Sequence, residues 1–287
     1  MRGLKGRLAP YILILPGGLW LAIFFVVPTI LLLSFSLMQG NEVDGYQLTW
    51  HWQNYTDSIN QYHDQFVRSL YYGGAATVIG IVLSYPMAYW IAFKGGRHKN
   101  TYLFLVLLPF FVSFVLRTIA WQFLLGDNGI VVSTLKDLHL MSSDGHLLQT
   151  SLAVILGLTY NYLPFMVLPI YVALERVDHR VVEASYDLYA SRIATFRKVI
   201  FPLSLPGVFA GVLMNFVPAA SDYVNATILG GPSNTMIGNI IQTQFLQFRD
   251  YPTGAAMSAM LMAILLIGIF AYARALGTED VLEAAAR

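Results

Sequence analysis

Apolar residues gather in six long blocks separated by shorter polar connections, at about 10–38, 66–93, 101–125, 147–174, 206–229 and 253–276. About 20 apolar residues suffice for a helix to cross the hydrocarbon core, and a backbone in lipid must satisfy its own hydrogen bonds. Each block therefore predicts one spanning helix, and the fold class is an all-α membrane protein of about six transmembrane helices. The first block follows Arg2, Lys5 and Arg7 in the manner of a signal peptide. Its apolar run is too long for one and lacks a small-residue cleavage pattern, so a retained anchor is expected.

Composition agrees with this pattern. Of 287 residues, 56% are apolar and 11% charged, and the mean hydropathy is +0.59, well outside the balance of a water-soluble domain. The length is used up by the spans, so the expectation is one transmembrane domain over 1–287. Its long connection lies at about 175–205 and a tail at about 277–287. The chain has no cysteine, which excludes disulfides and thiolate metal sites. Nothing suggests a nucleic-acid partner; membrane lipid is the surrounding solvent.

Basic residues set the expected orientation, because Lys and Arg are retained on the cytoplasmic side. Arg2, Lys5 and Arg7 precede the first block; Lys94, Arg97 and Lys99 follow the second. Arg176, Arg180, Arg192, Arg197 and Lys198 follow the fourth, and Arg274 and Arg287 lie at the end. The other connections carry only Lys136 and Arg249. A multi-pass protein with both termini in the cytoplasm is expected. Acidic residues, among them Glu42, Asp44, Asp57, Asp64, Asp127, Asp137, Asp144 and Asp250, then face outward, as solvated loop charge or toward a basic partner or solute.

Pro28, Pro86, Pro109, Pro164, Pro169 and Pro218 fall within or near the apolar blocks. Each removes a backbone donor and marks a kink that either shapes a pathway or is simply structural. No internal repeat of the secondary-transporter kind is visible.

The connection EASYDLYASRIATFRKVIFPLSLPG, 183–207, predicts two short helices. Val181, Val182, Ala184, Tyr186 and Leu188, interrupted by Glu183 and Asp187, make the first amphipathic. Ala190 and Ser191 then offer a cap for a second turn with Phe196, Val199 and Ile200. Physics alone leaves two readings open: an interfacial helix resting on headgroups through Arg192, Arg197 and Lys198, or a docking element.

These residues resemble the EAA loop of the permease subunits of binding-protein-dependent ABC importers. Glu183, Ala184, Leu188, Ala190, Ser191, Phe196, Val199, Pro202, Leu203, Pro206 and Gly207 stand at matching positions. Ser185 and Phe201 are mild departures. Tyr189 replaces a glycine, which puts the turn between the helices in question. The stretches LPGGLWLAIFFVVPTILLLSFS, SYPMAYWIAF, LPFFVSFVLRTIAW, NYLPFMVLPIYVALE and SDYVNATILGGPSNTMIGNIIQTQF are similar to the first permease of spermidine/putrescine-type importers. That resemblance implies a type I importer permease in the bacterial inner membrane, working with a second permease, two ATPase subunits and an extracytoplasmic substrate-binding protein. It further implies a small solute as cargo, with a polyamine foremost and another small solute as alternative.

By the same resemblance the ATPase-coupling residues are Glu183, Ala184, Leu188, Tyr189, Ala190, Ser191 and Phe196. Ala184, Leu188 and Phe196 form the apolar docking face, and Glu183 meets a basic residue of the ATPase. No G-x-x-x-x-G-K-[ST] loop is present, so no cofactor is expected in this chain, and ATP and Mg are expected in the partner ATPases. The chain is then no enzyme itself. The six histidines, His51, His63, His98, His139, His146 and His179, all lie in connections without metal-ligand spacing. An ATP-independent transporter or channel is the runner-up.

Asp222 is the one carboxylate inside a predicted span, a costly position. Counting residues from the cytoplasmic starts of their spans puts Arg117 at the same height. Asp222 therefore pairs with Arg117 or contacts a cationic solute. Tyr160, Asn161, Tyr223 and Asn225 are candidates to line a polar route or to bond between helices.

Overall fold

The computed structural model describes residues 14–41 and 43–275. The start of the first block with Arg2, Lys5 and Arg7, Glu42, and the tail at 277–287 lie outside the described residues. The described elements are α1 (Ile14–Phe35), β1 (Met38–Asn41), β2 (Gly45–Leu48), α2 (Gln53–Lys94), α3 (Lys99–Leu107) and α4 (Phe114–Leu125). They continue with α5 (Ile130–Asp137), α6 (Ser151–Glu175), α7 (His179–Asp187), α8 (Arg192–Thr195), α9 (Phe201–Ala220), α10 (Ile237–Thr243) and α11 (Tyr251–Ala275). Five helical runs are long and apolar enough to cross a membrane, with a sixth if the bent pair 96–111 and 114–137 is one span.

Three features depart from the pattern of blocks. The third block is broken: Pro109 sits in a 3₁₀ turn, Leu108–Phe111, after which Val112 is extended (φ −97°, ψ 139°) and α4 leaves at 89°. Pro109 has no N–H to continue the helical ladder, and the chain turns where that ladder fails. The fifth block ends at Ala220, just after Pro218, and the remainder forms a separate π-helical turn, Ala226–Gly230. The polar run before the second block is also helical, so α2 starts at Gln53, with a break at Tyr62 (φ −124°, ψ 18°).

Two compact units divide the described residues, those up to 63 with 240–264, and 64–239 with those from 265 on. The first holds α1 and the β1–β2 hairpin, in which Gly40 pairs with Tyr46 and Asn41 with Gly45. Asn41 Oδ1 accepts from the Val43 and Asp44 N–H groups at 2.9 and 2.8 Å and so closes the turn. Period-3.6 blocks gave no hint of this small antiparallel pair.

The second unit is built on α6 and α9. A Cβ on Gly207 of α9 would stand 2.5 Å from the Pro169 carbonyl oxygen of α6, so the two backbones meet where only glycine fits, the usual device for helix contact in lipid. Around this crossing Tyr85, Ala88, Met166, Val167, Ile170, Leu174, Ile200 and Val208 form one buried cluster. Lys99 Nζ at the start of α3 reaches both Glu175 oxygens at 2.9 Å at the end of α6.

Candidate functional site

The 178–201 segment has the two-helix form expected of it. Asp178 Oδ1 accepts from Arg180 N–H at 2.9 Å and starts α7; Ser191 Oγ accepts from Ala194 N–H at 3.3 Å and starts α8. Between them Tyr189 is left-handed, with φ 58°. Its N–H donates to Tyr186 O at 2.9 Å while the Ala190 N–H donates to Ser185 O at 3.0 Å. This is the Schellman pattern of hydrogen bonds, which normally places glycine at the left-handed residue. Tyrosine thus occupies the backbone conformation that glycine adopts freely, and the residue is 99% exposed.

Ser185, where alanine was expected, is buried. Its hydroxyl lies 2.9 Å from that of Thr195, tying α7 to the end of α8. The outer surface of the segment carries Glu183, Ala184, Leu188, Tyr189 and Ser191, all exposed, together with Ile193. Ala190 is half-buried in the turn.

Phe196 is a correction to the sequence reading, which assigned it to an outward docking face. It lies on the inner side, edge-on to Tyr85 and Tyr89 with ring centroids at 5.7 and 5.9 Å, and packs against the core cluster of α2, α6 and α9. An aromatic ring here gains more from burial than from exposure. The apolar outer surface belongs instead to Leu188, Tyr189 and Ile193. Phe196 also opens a π-helical turn, Phe196–Ile200, that runs directly into α9. The segment is therefore continuous with a spanning helix.

A second cluster lies inside the bundle. Asp222 Oδ1 accepts from the Asn225 N–H at 2.7 Å, and Oδ2 accepts from the Tyr162 hydroxyl at 2.8 Å and Asn225 Nδ2 at 3.0 Å. Asn161 Nδ2 donates to Asn225 Oδ1 at 3.0 Å and Thr118 Oγ1 at 3.1 Å. Side chains of α4, α6 and the turn after α9 thus form one buried network. Asp222 serves it by capping the backbone of the turn that follows.

The Arg117–Asp222 ion pair, one of the two alternatives for Asp222, does not form. Arg117 is buried, with its guanidinium carbon 4.8 Å from the Phe110 ring centroid and 5.7 Å from that of Phe114. Its Nε and Nη1 have no hydrogen-bond partner. The height argument failed because it summed one helical rise through two spans that are both interrupted, at Val112 and after Ala220.

Tyr160 leaves the polar network and packs its ring 5.5 Å from Trp121. Tyr223 is partly exposed and contributes its carbonyl, which accepts from Asn239 Nδ2 at 2.9 Å. Tyr162 and Thr118 belong to the cluster and were missed. The signal for Tyr162 was the Tyr160-Asn161-Tyr162 run in an otherwise apolar helix; nothing local distinguished Thr118. Among the described residues, no group of three His, Asp or Glu side chains is placed to hold a metal.

Five to six candidate spans, with an exposed helix pair continuous with one of them, define a multi-pass membrane protein. The match is specific: residues 76–276 fit the family described as binding-protein-dependent transport system inner membrane component, and the chain belongs to it. It is a non-catalytic permease subunit of an ABC importer and a multi-pass inner membrane protein.

The spermidine/putrescine transport system permease protein PotB of Haemophilus influenzae is 37% identical, covering 89% of this chain and 90% of that protein. Its Escherichia coli namesake is 33% identical, covering 89% and 94%. The inner membrane ABC transporter permease protein YdcU of E. coli is 33% identical over 77% of this chain and 74% of its own length. A bacterial ABC transporter that imports the acidic polysaccharide alginate shares the fold at TM-score 0.70 and 17% identity, covering 96% of this chain and 97% of its own.

Proposed function

We propose that the chain forms half of the translocation pathway of an ATP-driven importer for small polyamines of the spermidine and putrescine kind. In this reading it pairs with a second permease, docks two ATPase subunits that bind ATP and Mg, and receives solute from an extracytoplasmic binding protein. The 178–201 segment and both termini then face the cytoplasm, in agreement with the distribution of Lys and Arg.

The observation that carries the coupling role is the build of the segment. Its outer side presents Glu183, Leu188, Tyr189 and Ile193, while Phe196 fixes its inner side to the bundle and the chain continues into α9. A force applied to the outer side is thereby delivered to a spanning helix. Differential contacts of the ATPases with two positions of the segment would shift the bundle between its outward and inward forms.

Support for polyamines comes from the two PotB relatives, which match nearly the whole chain. The alginate importer shows that the same fold serves an acidic cargo, so fold does not choose the solute. The test is reconstitution of the assembled complex with its binding protein in vesicles. Spermidine or putrescine is expected to stimulate ATP hydrolysis and accumulate inside; uptake without ATP, or stimulation only by an unrelated solute, refutes the reading.

A further inference from the structure

We propose that the groove between α2 and α3 holds one acyl chain of an anionic phospholipid whose phosphate is bound by Lys94 and Arg97. The groove measures about 420 Å³ and is lined by Pro86, Met87 and Trp90 of α2 and by Tyr102, Leu105 and Val106 of α3. Met87, Trp90 and Leu105 remain substantially exposed along it.

Helical geometry places a cationic rim at one end of this groove. Met87, Trp90 and Lys94 follow one another at spacings of three and four on α2, hence on one face. On the other wall His98 stands four residues before Tyr102, with ring centroids 6.3 Å apart. The helices are joined by the short 3₁₀ turn Gly96–His98, so Lys94, Arg97 and His98 gather above the same end. All three are exposed. Lys99 is already committed to Glu175, whereas no carboxylate among the described residues is shown pairing with Lys94 or Arg97.

The depth of the groove fits a lipid. Trp90 and Tyr102 meet edge to face at 4.8 Å, one turn inward from Lys94 and His98. Aromatic residues favour the boundary between headgroups and hydrocarbon, so the cations stand at phosphate level and the groove below lies in the acyl region. From Pro86 to Lys94, and from His98 to Val106, each wall is about 12 Å long at about 1.5 Å per residue.

An apolar groove gives no preference for one lipid over another, because the hydrocarbon around it is equally apolar. Selection rests on the headgroup: two cations above the slot favour an anionic headgroup over a zwitterionic one. A protein helix in the same place would have to bring carboxylates to Lys94 and Arg97, whereas the leaflet supplies anions there already.

The test uses the intact importer, purified from a membrane containing phosphatidylglycerol and washed in delipidating detergent, with retained lipid counted by native mass spectrometry. Phosphatidylglycerol is expected to stay on the wild type. It should fall at least tenfold in Lys94→Gln/Arg97→Gln, which removes the rim, and in Leu105→Trp, which fills the slot and changes no charge. Lys136→Gln should retain it. In a separate arm, benzoylphenylalanine at Met87 is expected to yield a lipid adduct on illumination. Undiminished lipid in either groove variant, or a Met87 adduct to a second protein chain in place of lipid, overturns the proposal.

Discussion

The hydroxyls of Ser185 and Thr195 lie 2.9 Å apart and clasp α7 to α8 in the segment that leads into α9. Both residues are buried, so the clasp works away from water, where a hydroxyl without a partner is costly. Ser185→Ala, which leaves the Thr195 hydroxyl facing a methyl group, is expected to cost about 1 kcal/mol. Thr195→Val should cost about the same, and the double variant less than the sum of the two. A double-mutant cycle on the thermal stability of the assembled complex measures this.

Tyr189→Gly should be tolerated and should firm the turn. The left-handed conformation costs a non-glycine residue about 1–2 kcal/mol, and the greater chain entropy of glycine returns about 0.5–1 kcal/mol of that relief. The expected outcome is slower amide exchange at Tyr189 and Ala190 with transport retained. Tyr189→Ala keeps the Cβ and should bring no such gain. Loss of transport in Tyr189→Gly with normal assembly would show that the ring makes its own contact with an ATPase.

Asp222 and Arg117 should behave independently, because no ion pair joins them. Asp222→Asn weakens the cap on the turn after α9, and Tyr162→Phe removes one of its donors; each is expected to cost about 1–3 kcal/mol. Arg117→Gln combined with Asp222→Asn should give additive losses. Recovery of stability in that double variant would contradict the arrangement of the cluster.

Gly207→Ala places a Cβ against the Pro169 carbonyl and the Ala173 methyl, 2.5 Å from each. Backbone cannot yield cheaply there, so α6 and α9 must separate. A loss of about 1–3 kcal/mol, in the range of other overpacked cores, is expected in melting of the complex.

The number of spans was legible because block length answers directly to bilayer thickness, and the helix pair of 178–201 because of its amphipathic first half and the cap at Ser191, while the cap at Asp178 went unread. A cap such as Ser191 is a local signal because its short side chain needs only the next three residues. The break at Val112 was foreshadowed by Pro109, yet a proline does not say whether a helix will bend or stop. Phe196 was misjudged for a related reason: its orientation depends on Tyr85 and Tyr89, more than a hundred residues away in the chain. Arg117 shows the same limit, since a height along one helix says nothing of the side that the guanidinium faces.

Coupling through the outer surface of 178–201 is tested most directly by Leu188→Asp, which puts a charge into the apolar patch without touching a span. Glu183→Lys provides the companion charge reversal. The measurement is the amount of ATPase subunit that co-purifies with the permease pair, together with polyamine-stimulated ATP hydrolysis in vesicles. Val43→Asp, at the exposed hairpin tip, serves as control. Both segment variants are predicted to insert and pair with the second permease while losing stimulated hydrolysis, with Leu188→Asp also losing the ATPase subunits and Val43→Asp keeping them. Full ATPase recovery and undiminished stimulation in Leu188→Asp would contradict the account.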